Sequence, residues 1–118
     1  MLRQMLLSKL HRGTVVECDI NYNGSIKIDE ALLERTGMRE FERVEVFNIT
    51  NGNRFSTYVI KGERDSGMIG INGAAARLAS PGDEVIIINY GMMHEEEIAA
   101  HKPVILVLDK ENKVAEEI

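Results

Sequence analysis

Cysteine and tryptophan are the scarcest residues of this 118-residue sequence: Cys18 is the only cysteine, and there is no Trp. One cysteine excludes an internal disulfide framework and any metal site built from several cysteines. Aromatic residues are few, three Tyr and three Phe, so a core has to be built from Ile, Val, Leu, Met and Ala. A hydrophobic share of 44% is ordinary for a globular domain. The composition therefore allows one compact core and names no activity.

Long apolar runs and an excess of positive charge are missing as well. No run reaches the roughly 20 apolar residues of a membrane-spanning helix, so no membrane contact is predicted. Charge interrupts residues 1–10 too early for a secretory signal, which favours the cytoplasm. A formal charge of −5, without a basic patch, argues against a nucleic-acid partner.

Short β-rich segments separated by turn signals dominate the rest of the sequence. Three Asn-Gly pairs mark turns, and Asn51-Gly52 between two β-rich runs is the clearest hairpin signal, because both residue types tolerate positive φ. The pattern predicts a mainly β fold, a small barrel or sandwich. The predicted strands are 14–20, 25–28, 43–49, 54–60, 68–71, 84–90 and 104–108.

Two short helices are predicted between the strands. Asp29 is a suitable N-cap for a helix over 30–36, and Gly37 is placed to end it. A second, amphipathic helix is predicted over 94–101, closed off by Pro103. The sequence has no internal repeat, low-complexity stretch or linker, so residues 1–118 are predicted to form a single domain.

Several other motifs have ordinary explanations. The three histidines are too far apart in sequence to suggest a metal site, and His94 and His101 are interpreted as helix-surface residues. Three acidic residues at 95–97 suit the solvated start of a helix. Residues 73–76, Gly-Ala-Ala-Ala, are either a tight turn packed on a helix or a place where backbone N–H groups approach a ligand. No metal ligand is assigned.

The segment Tyr22-Asn23-Gly24-Ser25 permits a specific reaction, although in an arbitrary protein a simple turn would be the better explanation. The Ser25 hydroxyl is held near the carbonyl carbon of Gly24, and Gly has no side chain to block an attack. Strain at such a turn, roughly 1–3 kcal/mol, would favour moving the acyl group from nitrogen to oxygen. Self-cleavage between Gly24 and Ser25 is therefore a hypothesis from the residues themselves.

Four blocks of the sequence resemble the bacterial aspartate decarboxylases, in the same order as in that family. Each block alone is a weak signal, but four in order over a chain of this length form a strong one. The resemblance extends to about Pro103, and the tail over 110–118 carries no matching motif. The blocks are MLLSKLHR at 5–12, NYNGS at 21–25, TNGNRFSTY at 50–58 and INGAAAR at 71–77.

The resemblance implies a double-psi β-barrel with two or three short helices, assembled as a homotetramer. It also implies an inactive precursor that cuts itself into a β chain, residues 1–24, and an α chain, residues 25–118. Ser25 would become a pyruvoyl group, the covalent cofactor that binds the amino group of L-aspartate as a Schiff base. Decarboxylation would then yield β-alanine, a precursor in pantothenate synthesis. Whether a maturation factor assists the cleavage is left open.

The resemblance also assigns roles to individual residues. Arg54, with the planar fork of its guanidinium, and Lys9 are predicted to hold the carboxylate that the substrate retains. Tyr58 is the predicted proton donor, since a phenol is protonated at neutral pH. The predicted substrate contacts continue with Thr57, Gly73, Ala74 and Ala75, and His11 and Asn72 are supporting candidates.

Two alternatives remain at this point. A non-catalytic barrel of the same fold, acting as a scaffold or binding module, would need neither Gly24-Ser25 nor Arg54 and Tyr58. A pyruvoyl decarboxylase for another acidic amino acid, such as glutamate, would carry the same motifs.

Overall fold

The computed structural model describes the whole chain, residues 1–118. It contains nine strands, two α-helices and one short 3₁₀ helix. The strands are β1 (Arg3–Thr14), β2 (Glu17–Asp19), β3 (Ser25–Asp29), β4 (Arg43–Asn48), β5 (Arg54–Gly62), β6 (Ile69–Asn72), β7 (Glu84–Met93), β8 (Val104–Leu108) and β9 (Val114–Glu117). The helices are α1 (Glu30–Thr36), α2 (Glu95–Ala100) and the 3₁₀ helix Gly73–Arg77. The prediction of a small, mainly β fold with two or three short helices is confirmed.

All nine strands belong to one sheet, in the order β2-β6-β3-β5-β4-β7-β1-β8-β9. Three of the neighbouring pairs are parallel, β1 with β8, β2 with β6 and β3 with β5, and the others are antiparallel. Asn51-Gly52 forms the predicted hairpin turn between β4 and β5, with Gly52 at a φ of 81°. No helix has both the length and the apolar character that crossing a bilayer requires.

The sheet wraps around one hydrophobic core of 18 buried residues, all of them Ile, Val, Leu, Met or Ala as the composition predicts. In strand β4, successive side chains alternate between the core face and the outer face of the sheet. Val44 and Val46 are buried, and the alternating residues Arg43 and Glu45 point to the outer face. Each fully buried Val or Ile contributes about 1.5–3 kcal/mol relative to an exposed one.

Helix α1 has the predicted bounds because both of its signals are local. The Asp29 carboxylate accepts a hydrogen bond from Ala31 N at 2.8 Å, and Gly37 ends the helix at a φ of 79°. The same carboxylate accepts hydrogen bonds from the backbone N–H groups of Asp65 and Gly67, both at 2.9 Å. Burial alone would raise the pKa of Asp29, but these three donors and the charge of Lys113 outweigh it and hold the pKa below its usual range.

The strand prediction was wrong at both ends of the chain. Residues 14–20 do not form one strand: β1 covers Arg3–Thr14, and a break separates it from β2. β1 was missed because irregularities in its pairing between Leu6 and Ser8, and again between Leu10 and Gly13, interrupt the two-residue alternation. β9 was missed because it is a short, largely exposed edge strand of Val-Ala-Glu-Glu.

The remaining differences are small. β6 begins and ends one residue later than predicted, and α2 covers Glu95–Ala100 within the predicted 94–101. Residues 95–97 are exposed at the start of α2, as interpreted, but His101 lies beyond its end. His101 is half-buried, with Nε2 at 2.7 Å from the Leu6 carbonyl oxygen, so its interpretation as a helix-surface residue was wrong.

Candidate active site

Gly24 and Ser25 lie where the loop after β2 enters β3. Gly24 is exposed, and a Cβ built on it would meet no atom within 4 Å, whereas Ser25 is only 1% exposed. The Asp19 carboxylate holds the start of this loop by accepting a hydrogen bond from Asn21 N at 2.9 Å. An exposed glycine therefore stands directly before a buried hydroxyl.

Two neutral groups hold the Ser25 hydroxyl. Ser25 Oγ donates to the backbone carbonyl of Asn23 at 3.0 Å and accepts from the Asn72 amide, Nδ2, at 3.2 Å. Asn72 is placed there because β3 and β6 pair antiparallel with Ser25 opposite Asn72. The hydroxyl has no charged hydrogen-bond partner, so position, and not a strong base, is what this arrangement provides.

Gly73 packs against the loop from the other side. A Cβ at Gly73 would lie 2.5 Å from Gly24 Cα and 2.8 Å from Gly24 N, closer than non-bonded atoms approach. Gly73 also has a φ of 74°, in the region that favours glycine. Residues 73–76 are thus neither a simple tight turn nor a free loop, since Gly73 begins the 3₁₀ helix Gly73–Arg77 and contacts the Gly24 backbone.

Tyr58 is level with Ser25 in the sheet. β3 and β5 are parallel with Ile26 opposite Val59, so the residues before them, Ser25 and Tyr58, stand side by side on one face. Tyr58 is 37% exposed, and its ring lies near that of Phe41, with 6.4 Å between the centroids. Thr57 is half-buried and pairs with Val44. The candidate proton donor is therefore near the cleavage site.

Phe41 was not singled out in the sequence, although the structure makes it unusual. It is 74% exposed and has a φ of 72°, which is costly for an aromatic residue. Its backbone N–H donates to Val59 O at 2.7 Å, which holds it at the start of the β4–β5 pair. The only feature of the sequence that could have drawn attention to Phe41 is its place as the one apolar residue in the charged run Arg-Glu-Phe-Glu-Arg at 39–43.

Arg54 lies farther along β5, four residues before Tyr58, which is about 13 Å in an extended strand. Its guanidinium stacks on Phe47, with Cζ 4.1 Å from the ring centroid. No carboxylate lies within ion-pair distance of Arg54. Arg54 also lines a shallow groove of about 230 Å³ with Arg43, Glu45, Phe47, Phe55 and Ser56. An exposed, unpaired guanidinium beside a groove suits an anionic ligand.

Lys9 lies on β1, three strands away from β5 in the sheet order, or about 14 Å at the usual strand spacing. It also has no ion-pair partner. His11 is two residues further along β1, and its Nδ1 is buried without a hydrogen bond. Burial, followed by the charges of Lys9 and Arg12, lowers the pKa of His11 and keeps the ring neutral at pH 7.

The predicted site residues thus form two groups in one chain. The cleavage group consists of Gly24, Ser25, Tyr58, Asn72 and Gly73, and the cation group consists of Lys9 and Arg54. The neutral His11 lies two residues from Lys9 on β1. None of the five cavities is lined by Ser25. Within one chain, Ser25 therefore shares no cavity with Lys9 or Arg54.

An asparagine cluster, also missed in the sequence, connects the hairpin before Arg54 to the 3₁₀ helix. The side-chain amides of Asn48, Asn51 and Asn53 all donate to the carbonyl oxygen of Leu78, at 3.3, 3.0 and 3.2 Å. Ala74 is exposed and Ala75 half-buried on that 3₁₀ helix. The sequence shows that Asn48, Asn51 and Asn53 are close together, but their common acceptor on Leu78 is distant in sequence.

The chain is similar in sequence to known proteins over nearly its whole length. The model of the aspartate decarboxylase family matches residues 1–115, which extends beyond the limit of about Pro103 taken from the motifs. The aspartate 1-decarboxylases of Bordetella pertussis and Bordetella avium are each 58% identical over 116 residues, covering 98% of this chain and 95% of theirs. That of Cupriavidus necator is 53% identical over 116 residues, covering 98% and 97%.

Proposed function

Because the chain belongs to the aspartate decarboxylase family, we propose that it is a pyruvoyl-dependent aspartate 1-decarboxylase that converts L-aspartate to β-alanine and CO₂. The observation that carries the proposal is the pair Gly24-Ser25, an exposed glycine followed by a buried hydroxyl held by Asn72. A scaffold protein of the same fold would have no need of this arrangement.

The first step is self-cleavage. Ser25 Oγ attacks the carbonyl carbon of Gly24, and the Gly24 acyl group moves from the Ser25 nitrogen to its oxygen. Loss of the Ser25 α-proton then expels the ester oxygen, which leaves a carboxylate on Gly24 and dehydroalanine at residue 25. Hydrolysis releases ammonia and leaves a pyruvoyl group on residues 25–118. Asn72 can donate to the oxygen that receives the acyl group, and the Gly73 contact limits movement of Gly24.

The residues around Ser25 fit such a group. The position is buried, its polar neighbours are neutral, and Gly73 has no Cβ that would push Gly24 away. Once formed, the pyruvoyl carbonyl supplies the electron sink for the carbanion that loss of CO₂ creates. The fold contributes the buried position of residue 25.

Arg54 and Lys9 bind the side-chain carboxylate of aspartate, which the product retains. Both are unpaired cations in one chain, and Arg54 is already oriented by its stacking on Phe47. Binding the departing carboxylate equally tightly would stabilise the substrate more than the transition state and slow the reaction. Tyr58, level with Ser25, donates the proton to the substrate carbon after CO₂ has left.

The active site is shared between subunits of a homotetramer. This part of the proposal is supported by the separation of the cleavage group from the cation group within one chain. It is also supported by exposed aromatic side chains beside the cleavage site, Tyr22, Phe41 and Tyr58. A neighbouring subunit that carries its Arg54 and Lys9 to this Ser25 would close the pocket and cover these rings. Light scattering that gave a fully active monomer would contradict it.

Intact mass of the purified protein tests the proposed function. We expect two fragments, residues 1–24 and 25–118, with pyruvoyl in place of Ser25 at the start of the larger one. Ser25→Ala should remain a single chain and release no β-alanine from aspartate. Wild-type protein that stays uncut after prolonged warming, or that turns over aspartate while uncut, would refute the proposal. Parallel assays with glutamate show whether the site distinguishes the two acids.

A further inference from the structure

The sequence contains three Asn-Gly pairs, and such pairs have a reaction of their own. The backbone nitrogen of the glycine attacks the side-chain amide carbon of the asparagine and expels ammonia. A five-membered succinimide forms, and one water molecule opens it to aspartate or to isoaspartate. The reaction is fastest at glycine, which has no Cβ to obstruct ring closure, and it needs both the amide side chain and the glycine N–H to be free.

Two of the pairs are held by hydrogen bonds. The side chain of Asn51 donates to Leu78 O and accepts from Asn53 N, and Gly52 N donates to Asn48 O at 2.9 Å. Ring closure at Asn51-Gly52 would break all three bonds. Asn72 is 2% exposed, with its amide bound to Ser25 Oγ. Neither asparagine is free to approach its glycine nitrogen.

The third pair, Asn23-Gly24, has none of these restraints. Both residues are exposed, and a Cβ on Gly24 would meet no atom within 4 Å. Neither the Asn23 side chain nor the Gly24 N–H takes part in a hydrogen bond, although the Asn23 carbonyl accepts one from Ser25 Oγ. The only Asn-Gly pair without such hydrogen bonds therefore adjoins the peptide bond that the proposed function cuts.

We propose that Asn23-Gly24 is a self-modification site whose conversion through succinimide competes with cleavage at Gly24-Ser25. In isoaspartate, the backbone runs through the former side chain of residue 23. The backbone is therefore one methylene group longer before Gly24. The carbonyl that holds Ser25 Oγ becomes a free carboxylate, and Gly24 shifts against Gly73, where the backbones already touch. A precursor modified in this way no longer cuts itself. This second consequence rests on the proposed function, whereas the modification itself does not.

The modification is tested without any cleavage. Ser25→Ala precursor is incubated at mildly alkaline pH, digested with trypsin and mapped by mass spectrometry, since residues 13–27 form one peptide between Arg12 and Lys27. We expect conversion of amide to acid at Asn23. Conversion at Asn51 in the same sample should be roughly 10–100-fold slower, because about three hydrogen bonds must break first. Asn23→Gln, with a side chain one methylene longer, should remove the signal.

Two results would overturn the proposal: Asn23 still an amide after incubation, or Asn51 converting as fast as Asn23. The competition is tested separately on wild-type protein, by separating the uncut chains that persist after warming. These chains should be enriched in isoaspartate at residue 23 relative to the cut protein. Uncut chains with an unmodified Asn23 would show that the modification does not compete with cleavage. Since the mapping of the Ser25→Ala protein requires no self-processing, failure of the proposed function would not alter it.

Discussion

Gly73 and Gly24 pack backbone against backbone, so closely that a Cβ on Gly73 would stand 2.5 Å from Gly24 Cα. The two residues come from different parts of the chain, one at the end of β6 and the other just before β3. Their contact fixes the peptide group that precedes Ser25 and leaves no room for a side chain.

Gly73→Ala should stop or strongly slow self-cleavage, because the added methyl group has to push Gly24 away from Ser25. Gly37→Ala is the matched control: Gly37 has a similar φ of 79° but nothing within 4 Å of its Cβ position. Both variants should lose about 1–2 kcal/mol of stability from left-handed backbone strain. Gel analysis of cleavage and thermal melting separate the two effects. Equal cleavage in both variants would show that the Gly73 contact is irrelevant to processing.

Tyr58→Phe separates maturation from catalysis. The ring and its contact with Phe41 remain, and only the hydroxyl is lost. Cleavage at Gly24-Ser25 should proceed, while β-alanine production falls by about 10²–10⁴-fold, the usual effect of losing a general acid. Fragment masses and product release are measured on the same sample. Normal turnover would remove Tyr58 from the reaction, and an uncut chain would place its hydroxyl in the cleavage step.

Arg54→Lys keeps the charge but loses the planar fork that binds a carboxylate with two hydrogen bonds. We expect KM for aspartate to rise about 10–100-fold, in line with the roughly 1.5–3 kcal/mol of a hydrogen bond to a charged group. Cleavage should be unaffected because Arg54 lies outside the cleavage group. Arg35→Lys, which changes an exposed arginine paired with Glu117, is the control. Steady-state kinetics with KM unchanged in the Arg54 variant would argue against carboxylate binding there.

Asp29→Asn should reduce stability at neutral pH by about 1–3 kcal/mol, because an amide cannot replace a carboxylate that accepts three backbone N–H groups. The folded pKa of Asp29 lies below its unfolded value, so its contribution is complete above about pH 4 and is lost as the pH falls through the folded pKa. The Asp29→Asn variant should therefore not lose the stability that wild type loses when the Asp29 carboxylate is protonated. Denaturant titrations at neutral and acid pH measure it, and a variant as stable as wild type at pH 7 would contradict the assignment.

The sequence predicts most accurately where structure depends on near neighbours. Helix α1 is delimited by Asp29 and Gly37, which act within one turn, and its bounds were predicted to the residue. β1 was missed because its bulges interrupt the alternation that identifies a strand, and they arise from pairing with β7, which is about 80 residues away.

The same distinction holds in the candidate site. Gly24 and Ser25 are adjacent, so their chemistry could be proposed from the residues alone. The contact of Gly73 with Gly24 and the shared acceptor of Asn48, Asn51 and Asn53 join distant segments. Phe41 takes on its position beside Tyr58 only once β4 and β5 have paired. No local pattern encodes these relationships.

The place of β1 in the sheet has a consequence for a protein cut after Gly24. β1 is an interior strand, bonded to β7 on one side and β8 on the other, and it belongs entirely to the smaller fragment. The fragments would therefore stay together without a covalent link, and neither would have a complete sheet alone. Folding before the cut involves one molecule, whereas folding after it requires two pieces to meet and so depends on concentration. A single break in the backbone would thus turn a reversible folder into an assembly that is preserved by its slow unfolding, one that dilution after denaturation would not restore.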